Sequence, residues 1–171
     1  MKQSDLPAFG AALGVGLFGG TFALNGVYYA LVVAPKSAEL IGTVVASPAA
    51  MAQATSYDDG HTNTIALAAS GQGLGAAVTA LMIDGQGDMY IPSRDELATI
   101  IANLDVFPGS ALAVGSEQGF DEAPYLTSTS LGPDLLWNQN PYYGWQAQDD
   151  LSFEIRVRPI WRIVIDDVEV A

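Results

Sequence analysis

Tyr90-Ile91-Pro92-Ser93-Arg94-Asp95-Glu96-Leu97 begins as a strand and ends as a helix. Asp88-Met89-Tyr90-Ile91 has the apolar and aromatic content of a short strand. Ser93 and Glu96 then stand three residues apart. At that spacing each side chain can satisfy the other residue's backbone N–H, which starts a helix. Leu97, Ile100, Ile101 and Leu104 follow as the buried stripe. The spacing predicts a helix over 94–104.

Upstream, Phe18, Phe22 and Leu24, then Val27, Tyr29, Leu31 and Val33, alternate with smaller or polar residues. That is the period of a half-buried strand. Asn25-Gly26 between the two runs suits the positive φ angles of a tight turn, which predicts a β-hairpin over 15–35. Past Pro35, a short strand is expected around Ile41–Val45 and a turn at Ser47-Pro48. Residues 49–57 read as a loop or a short helix. A helix is expected over Asn63–Ser70 with Asn63 as its cap, and helical spacing continues through Leu74, Val78, Leu81 and Met82.

Downstream, 105–124 is loop-like, and Tyr125-Leu126-Thr127-Ser128-Thr129-Ser130 has strand composition. A polar and aromatic loop is expected over 131–144, then a strand over Trp145–Gln148. Phe153, Ile155 and Val157 alternate with Glu154, Arg156 and Arg158 in a closing strand. Pro159 predicts a bulge before Trp161–Ile165. The order is α+β: an N-terminal hairpin, two or three short helices and a small antiparallel sheet. No internal repeat appears, and no linker is long enough to separate a second domain.

The 171 residues suit one domain with a real core. Half are apolar and 15% are charged, a globular composition. Nineteen acidic residues against six basic ones leave a net charge of −13, which repels phosphate backbones and argues against a nucleic-acid partner. The acidity is scattered in pairs at most, as on a solvated surface. With no cysteine, disulfides and thiolate metal sites are excluded. The apolar stretch Phe9–Phe18 has only Lys2 before it and no small-residue cleavage site after it, so a secretion signal is not expected. It is also too short and glycine-rich to insert in a membrane.

Three ordered pieces carry a resemblance: 90–97, then 125–130, then Arg156-Val157-Arg158-Pro159-Ile160-Trp161-Arg162. They resemble the "WxLPSxxEL", "YWSSTE" and "(V/A)RP/AVR" elements of a family found in bacterial surface proteins and phage fibres, whose fold is C-type-lectin-like. The likeness covers about 63–165, and the leading hairpin resembles that of phage members. Leu126 departs from the family's tryptophan, and Trp137, Trp145 and Trp161 compete to fill that volume.

The resemblance implies a C-type-lectin-like domain over 19–171, preceded by an arm over 1–18. Through Leu6, Phe9, Leu13 and Leu17 that arm would contact other virion proteins or a neighbouring subunit. It further implies a homotrimeric virion protein at a tail-fibre tip that recognises a host surface glycan or protein. The alternative is a head fibre or capsid decoration with a structural role. A bacterial adhesin is disfavoured by the missing secretion signal.

The segment Trp137-Asn138-Gln139-Asn140-Pro141-Tyr142-Tyr143-Gly144-Trp145 is the candidate binding stretch. Aromatic faces stack and amides hydrogen-bond, which suits carbohydrate or protein recognition. The same aromatics read equally well as core or subunit-interface packing. Trp145 is expected buried, and Asn138, Asn140 and Tyr142 exposed; Trp137 and Tyr143 complete the candidate set.

The remaining chemistry is sparse. His61 beside Asp58 and Asp59 reads as a loop residue, since no second histidine or ligand pair accompanies it. Ser128 lacks the glycine-flanked elbow of a hydrolase nucleophile. Gly71–Gly75 lacks the strand context of a dinucleotide loop. Glu117, Asp121, Glu122 and Asp134 could offer oxygens to calcium, but a solvated loop is the favoured reading. No cofactor, no metal and no enzymatic activity are expected.

Overall fold

Residues 1–166 are described in a computed structural model of the chain. Its strands are β1 (Ala12–Leu13), β2 (Gly16–Leu24), β3 (Val27–Val33), β4 (Leu40–Gly42), β5 (Tyr125–Ser130), β6 (Leu135–Gln139), β7 (Gln146–Asp150), β8 (Ile155–Val157) and β9 (Ile160–Val164). Helices α1 (Pro48–Gln53), α2 (Gly60–Ala68), α3 (Gly73–Thr79) and α4 (Arg94–Val106) lie between β4 and β5. The fold is mixed α+β, with two sheets ordered β1-β2-β3-β9 and β4-β8-β5-β6-β7.

The hairpin forms as expected. Asn25 (φ 51°) and Gly26 (φ 78°) both take positive φ, so Leu24 pairs directly with Val27. The register then slips between Phe18 and Thr21, a bulge that the alternation pattern does not announce. β3 is also buried on both faces from Ala30 onward, while Val27 and Tyr28 stay exposed. Leu31 and Val33 pack on α4 through Leu97, Ile100 and Leu104, while Val32 and Ala34 pack on the other side with Met51, Leu67, Leu74 and Val157. A strand covered on both faces reads as a continuous apolar run, as Ala30–Ala34 does.

Helix α4 starts where the capping box placed it. Ser93 Oγ accepts from Glu96 N at 3.2 Å, and Glu96 Oε2 accepts from Ser93 N at 2.8 Å. Helix α2 starts earlier than the sequence reading put it. Its cap is Asp59, whose carboxylate accepts from Thr62 N at 3.2 Å. Asn63, expected as the cap, is buried inside the helix and bonds both Ser56 N and Ser56 O. Gly60 opens the helix because nothing larger fits: a Cβ there would lie 2.4 Å from Ser93 N and 2.5 Å from Glu96 Oε2. The strand expected over 88–91 shrinks to a single bridge, Tyr90 to Ile160.

β5 occupies the expected residues, and all of them are buried. It pairs with β6 on one side but meets β8 only at Tyr125–Arg156. Beyond that point Ser128 N donates to Pro92 O and Ser130 N to Ala54 O, so loops supply the missing ladder partners. The loop expected over 131–144 is half strand, since β6 runs through it and pairs along its length with β7. β7 is the open edge of its sheet, with exposed residues alternating with half-buried ones.

The boundary drawn at residue 18 falls inside β2, so residues 1–18 are not a separate arm. Asp166 N donates to Met1 O, and Phe18 N to Ala11 O. Phe9 stacks on Phe107 with ring centroids 5.5 Å apart. Leu17 joins Phe9 against the α4 cluster, Leu13 packs on two core clusters, and Leu6 packs on Phe18 and Ile165. Hydrophobic burial within the chain's own body has claimed these four apolar side chains.

The chain passes from one sheet to the other at Arg158-Pro159, between β8 and β9. Arg158 is 1% exposed. Its Nε donates to Ala34 O at 2.7 Å, Nη2 to Gln118 O at 2.6 Å and Nη1 to Gly119 O at 3.3 Å. Nη1 also lies 3.5 Å from the Glu39 carboxylate, and the guanidinium sits over the Phe120 ring. Replacing Arg158 with Met leaves three carbonyls without donors. We expect a loss of about 3 kcal/mol in chemical denaturation. A loss below about 1 kcal/mol would mean strand pairing alone holds the crossover.

Candidate functional site

The turn joining β6 to β7 is held by a buried asparagine. Asn140 Oδ1 accepts from Tyr142 N at 2.9 Å and Tyr143 N at 3.1 Å. Asn140 N donates to Trp145 O and Gly144 N to Asn140 O, which close the turn. On this pinned backbone Tyr142 is 55% exposed, Tyr143 65% and Trp145 42%. The two tyrosine rings meet edge to face at 4.9 Å.

The candidate stretch therefore divides differently from the expectation. Tyr142 and Tyr143 are exposed. Trp145 is exposed too, because the ladder of β7 begins only at Gln146. Asn138 and Asn140 are buried rather than exposed. Asn138 sits within the β6 ladder and donates to Asp149 Oδ2 at 2.8 Å, while Asn140 is consumed in the turn. The Asn140 amide holds the turn that presents the aromatics, and the Asn138 amide ties β6 to β7 through Asp149.

Trp137 is half-buried, and its ring lies under the Arg94 guanidinium at 5.0 Å. Arg94 lies at 5.1 Å over the ring of Tyr57 as well. Arg94 Nε donates to Gln146 Oε1 at 2.8 Å, and Gln139 Nε2 donates to Arg94 O at 2.6 Å. The first residue of α4 thus ties the helix to the β6–β7 hairpin. Sequence reasoning passed over Tyr57 and Arg94, whose only signal was an aromatic before an acidic pair and a cation at a helix start.

The other residues singled out are committed within the fold. His61 Nε2 lies 3.0 Å from Asp88 Oδ1, and its ring meets Tyr90 edge-on at 5.6 Å. Tyr90 Oη donates to Glu96 Oε1 at 2.7 Å. Arg162 reaches Asp59 Oδ1 at 3.1 Å and stands 3.9 Å from Glu96 Oε1, over the rings of Tyr29 and Tyr90. Burial pushes the Glu96 carboxyl up, and bonds from Ser93 and Tyr90 only partly offset it. Burial, then the Glu96 charge, pushes the Tyr90 phenol well up. Burial also acts upward on Asp59, but bonds from Thr62 and the Arg162 charge outweigh it and hold that carboxyl low.

The hydroxyls of 127–129 bond backbone. Thr127 donates to Trp137 O, Ser128 is shared between Gly60 O and Pro92 O, and Thr129 donates to Ser56 O. Gly71–Gly75 leads into α3 and packs on the backbone of Thr43 and Val45. Of the acidic loop residues, Asp121 is paired with Lys36 at 3.1 Å and Arg156 at 3.3 Å. Glu117, Glu122 and Asp134 are exposed. Among the described residues no three His, Asp or Glu side chains are grouped to hold a metal, and no helix is long and apolar enough to cross a membrane.

What the tip can do chemically is offer flat aromatic faces, phenol hydroxyls and an indole N–H from a backbone already in place. Comparison with known proteins finds no matching family model and no matching curated protein.

Replacing Asn140 with Ala should cost about 1–2 kcal/mol. It should also erase the mutual ring-current shifts of Tyr142 and Tyr143 in NMR spectra while β6 and β7 persist. Unchanged shifts would show that the turn holds without Asn140.

A second expectation concerns pH. The ordinary value for Glu96 is 4.5, and its folded value lies above that. Between the two, the folded chain binds more protons than the unfolded one, so the Glu96 contribution to stability falls as pH rises through that window. Glu96→Gln should remove this downward slope from a stability profile measured by denaturation at successive pH values. Parallel profiles would mean that Glu96 ionises alike in both states.

Proposed function

We propose that this chain is a C-type-lectin-like recognition domain of a phage virion, acting at a tail-fibre tip and binding a host surface glycan or protein without catalysis. The observation that carries the reading is the β6–β7 tip: three large aromatics exposed on a turn fixed by a buried asparagine. Exposed aromatics on a rigid loop supply contact area at low ordering cost, the usual makeup of a binding hot spot.

Two further features support the architecture in this reading. The first long hairpin pairs with the last described strand, β3 with β9, and the helices and second sheet are inserted between them. The three motif segments also interlock in space. Ser128 meets Pro92, Tyr90 bridges to Ile160, and Tyr125 pairs with Arg156. These contacts give the motif residues a structural duty and leave recognition to the tip. In the homotrimer that belongs to this reading, subunit contact falls to the patch where Phe9 stacks on Phe107 beside exposed Val106.

The test is adsorption to cells of the host strain. Tyr142→Ala, Tyr143→Ala and Trp145→Ala together should weaken binding by about tenfold or more. The unfolding midpoint should barely move, because all three side chains are exposed. Full binding by the triple variant would overturn the assignment of the tip, and a monomer in sedimentation would overturn the trimer.

A further inference from the structure

Away from the aromatic tip, the segment between β7 and β8 helps to line an open, shallow cavity of about 280 Å³. Its lining includes Ile41 of β4, Pro124 ahead of β5, Asp149 of β7, Phe153 and Glu154 of the connecting segment, and Arg156 of β8. Ile41 is 58% exposed and Phe153 61%. Large apolar side chains left in water at a concave site offer contact area to a ligand. The volume lies just below the range of small-molecule pockets, about 300–1,000 Å³, so it suits one side chain or a small amphiphile.

The charges sort the occupants. Arg156 is engaged on the carboxylates of Glu39 at 3.2 Å and Asp121 at 3.3 Å. Glu154 has no hydrogen bond or ion pair among the described residues, and it is exposed. Among the described residues, Asp149 is held only by Asn138 Nδ2 at 2.8 Å. Asn138 Oδ1 is itself buried without a donor. Reversing the amide would set that oxygen against the Asp149 carboxylate, so its orientation is fixed by charge. The chain's net charge of −13 adds an attractive field for cations.

We propose that this cavity binds a primary ammonium carried on an aliphatic stem. The ammonium is held by Asp149 and Glu154, and the stem lies on Ile41, Pro124 and the Phe153 ring. Such a group reaches the protein either as a free alkylamine or as a lysine side chain of a partner. The apolar wall takes the methylenes and the ring face adds a cation–π contact. The site is independent of the aromatic tip.

The experiment is a titration of the isotope-labelled full chain with 1,5-diaminopentane, with N-acetyl-lysine methylamide, and with n-pentanol and n-butyrate as neutral and anionic controls. Saturable shifts of the Ala123, Phe153, Glu154 and Arg156 amides are expected for the two ammonium compounds, with dissociation constants on the order of 1 mM. Tighter binding of the diamine points to a free amine, and tighter binding of the lysine derivative to a partner's side chain; either supports the site.

Glu154→Gln should weaken binding by up to about fivefold, the worth of a partly exposed ion pair. Glu154 has no packing duty, so this variant is expected to fold even if Asp149→Asn disturbs Asn138. Tyr142→Ala should leave the titration unchanged. Equal response to n-pentanol, saturable binding of n-butyrate, or full affinity in Glu154→Gln would each overturn the proposal.

Discussion

Everything in this fold turns on one buried guanidinium. Two sheets that share no hydrogen-bonded strand must be joined by a chain that leaves one and enters the other within two residues. Arg158 stands at that point, and its donors are spread over the end of β3 and the loop before Phe120. Glu39 answers its charge, and also takes the Tyr125 hydroxyl and the charges of Lys36 and Arg156. Desolvating a guanidinium is costly, and only a full set of acceptors makes burial tolerable. Burial lowers the Arg158 pKa, and the Glu39 charge works against that shift. The β8–β9 crossover and the approach of residues 118–120 are therefore one arrangement.

A second polar layer performs a similar task at the start of α4. Glu96 accepts from Ser93 N, Gly60 N and the Tyr90 hydroxyl, so the starts of two helices converge on one carboxylate. Thr64 bridges Gly60 O and both backbone groups of Ile91, and Ser128 reaches the same place from β5. The layer sets the height of α4 against β5 and β6. Through Arg94 and Gln139 that height sets the position of the hairpin carrying the aromatic tip. Packing fixes the scaffold, and the scaffold aims the tip.

The sequence was most legible where one local rule was enough. Asn25-Gly26 specifies its turn, Ser93 and Glu96 their helix start, and 125–130 their strand. It misled where tertiary contacts overrode local preference. Asn63 has the chemistry of a cap, but Asp59 stands four residues ahead with a glycine after it, and the glycine is needed for the approach of Ser93. The apolar residues of 1–18 looked unpartnered only because their partners, Phe107 and Ile165 among them, are remote in sequence. Within 137–145, composition gave no sign of the division of labour between exposed aromatics and buried amides. Whether an asparagine faces solvent or holds a turn depends on the register of β6 with β7, which no single-strand pattern encodes.

The open edge of the second sheet has a consequence for crowding. β7 presents unpaired backbone groups, and an edge of that kind invites another chain to add a strand. Its side chains are Gln146, Ala147, Gln148, Asp149 and Asp150, with no β-branched or aromatic residue among them. Two such edges brought together would gather four carboxylates into one new ladder with little apolar contact to gain. Where many copies are packed at high local density, the carboxylates disfavour pairing through this edge without a loop spent on covering it.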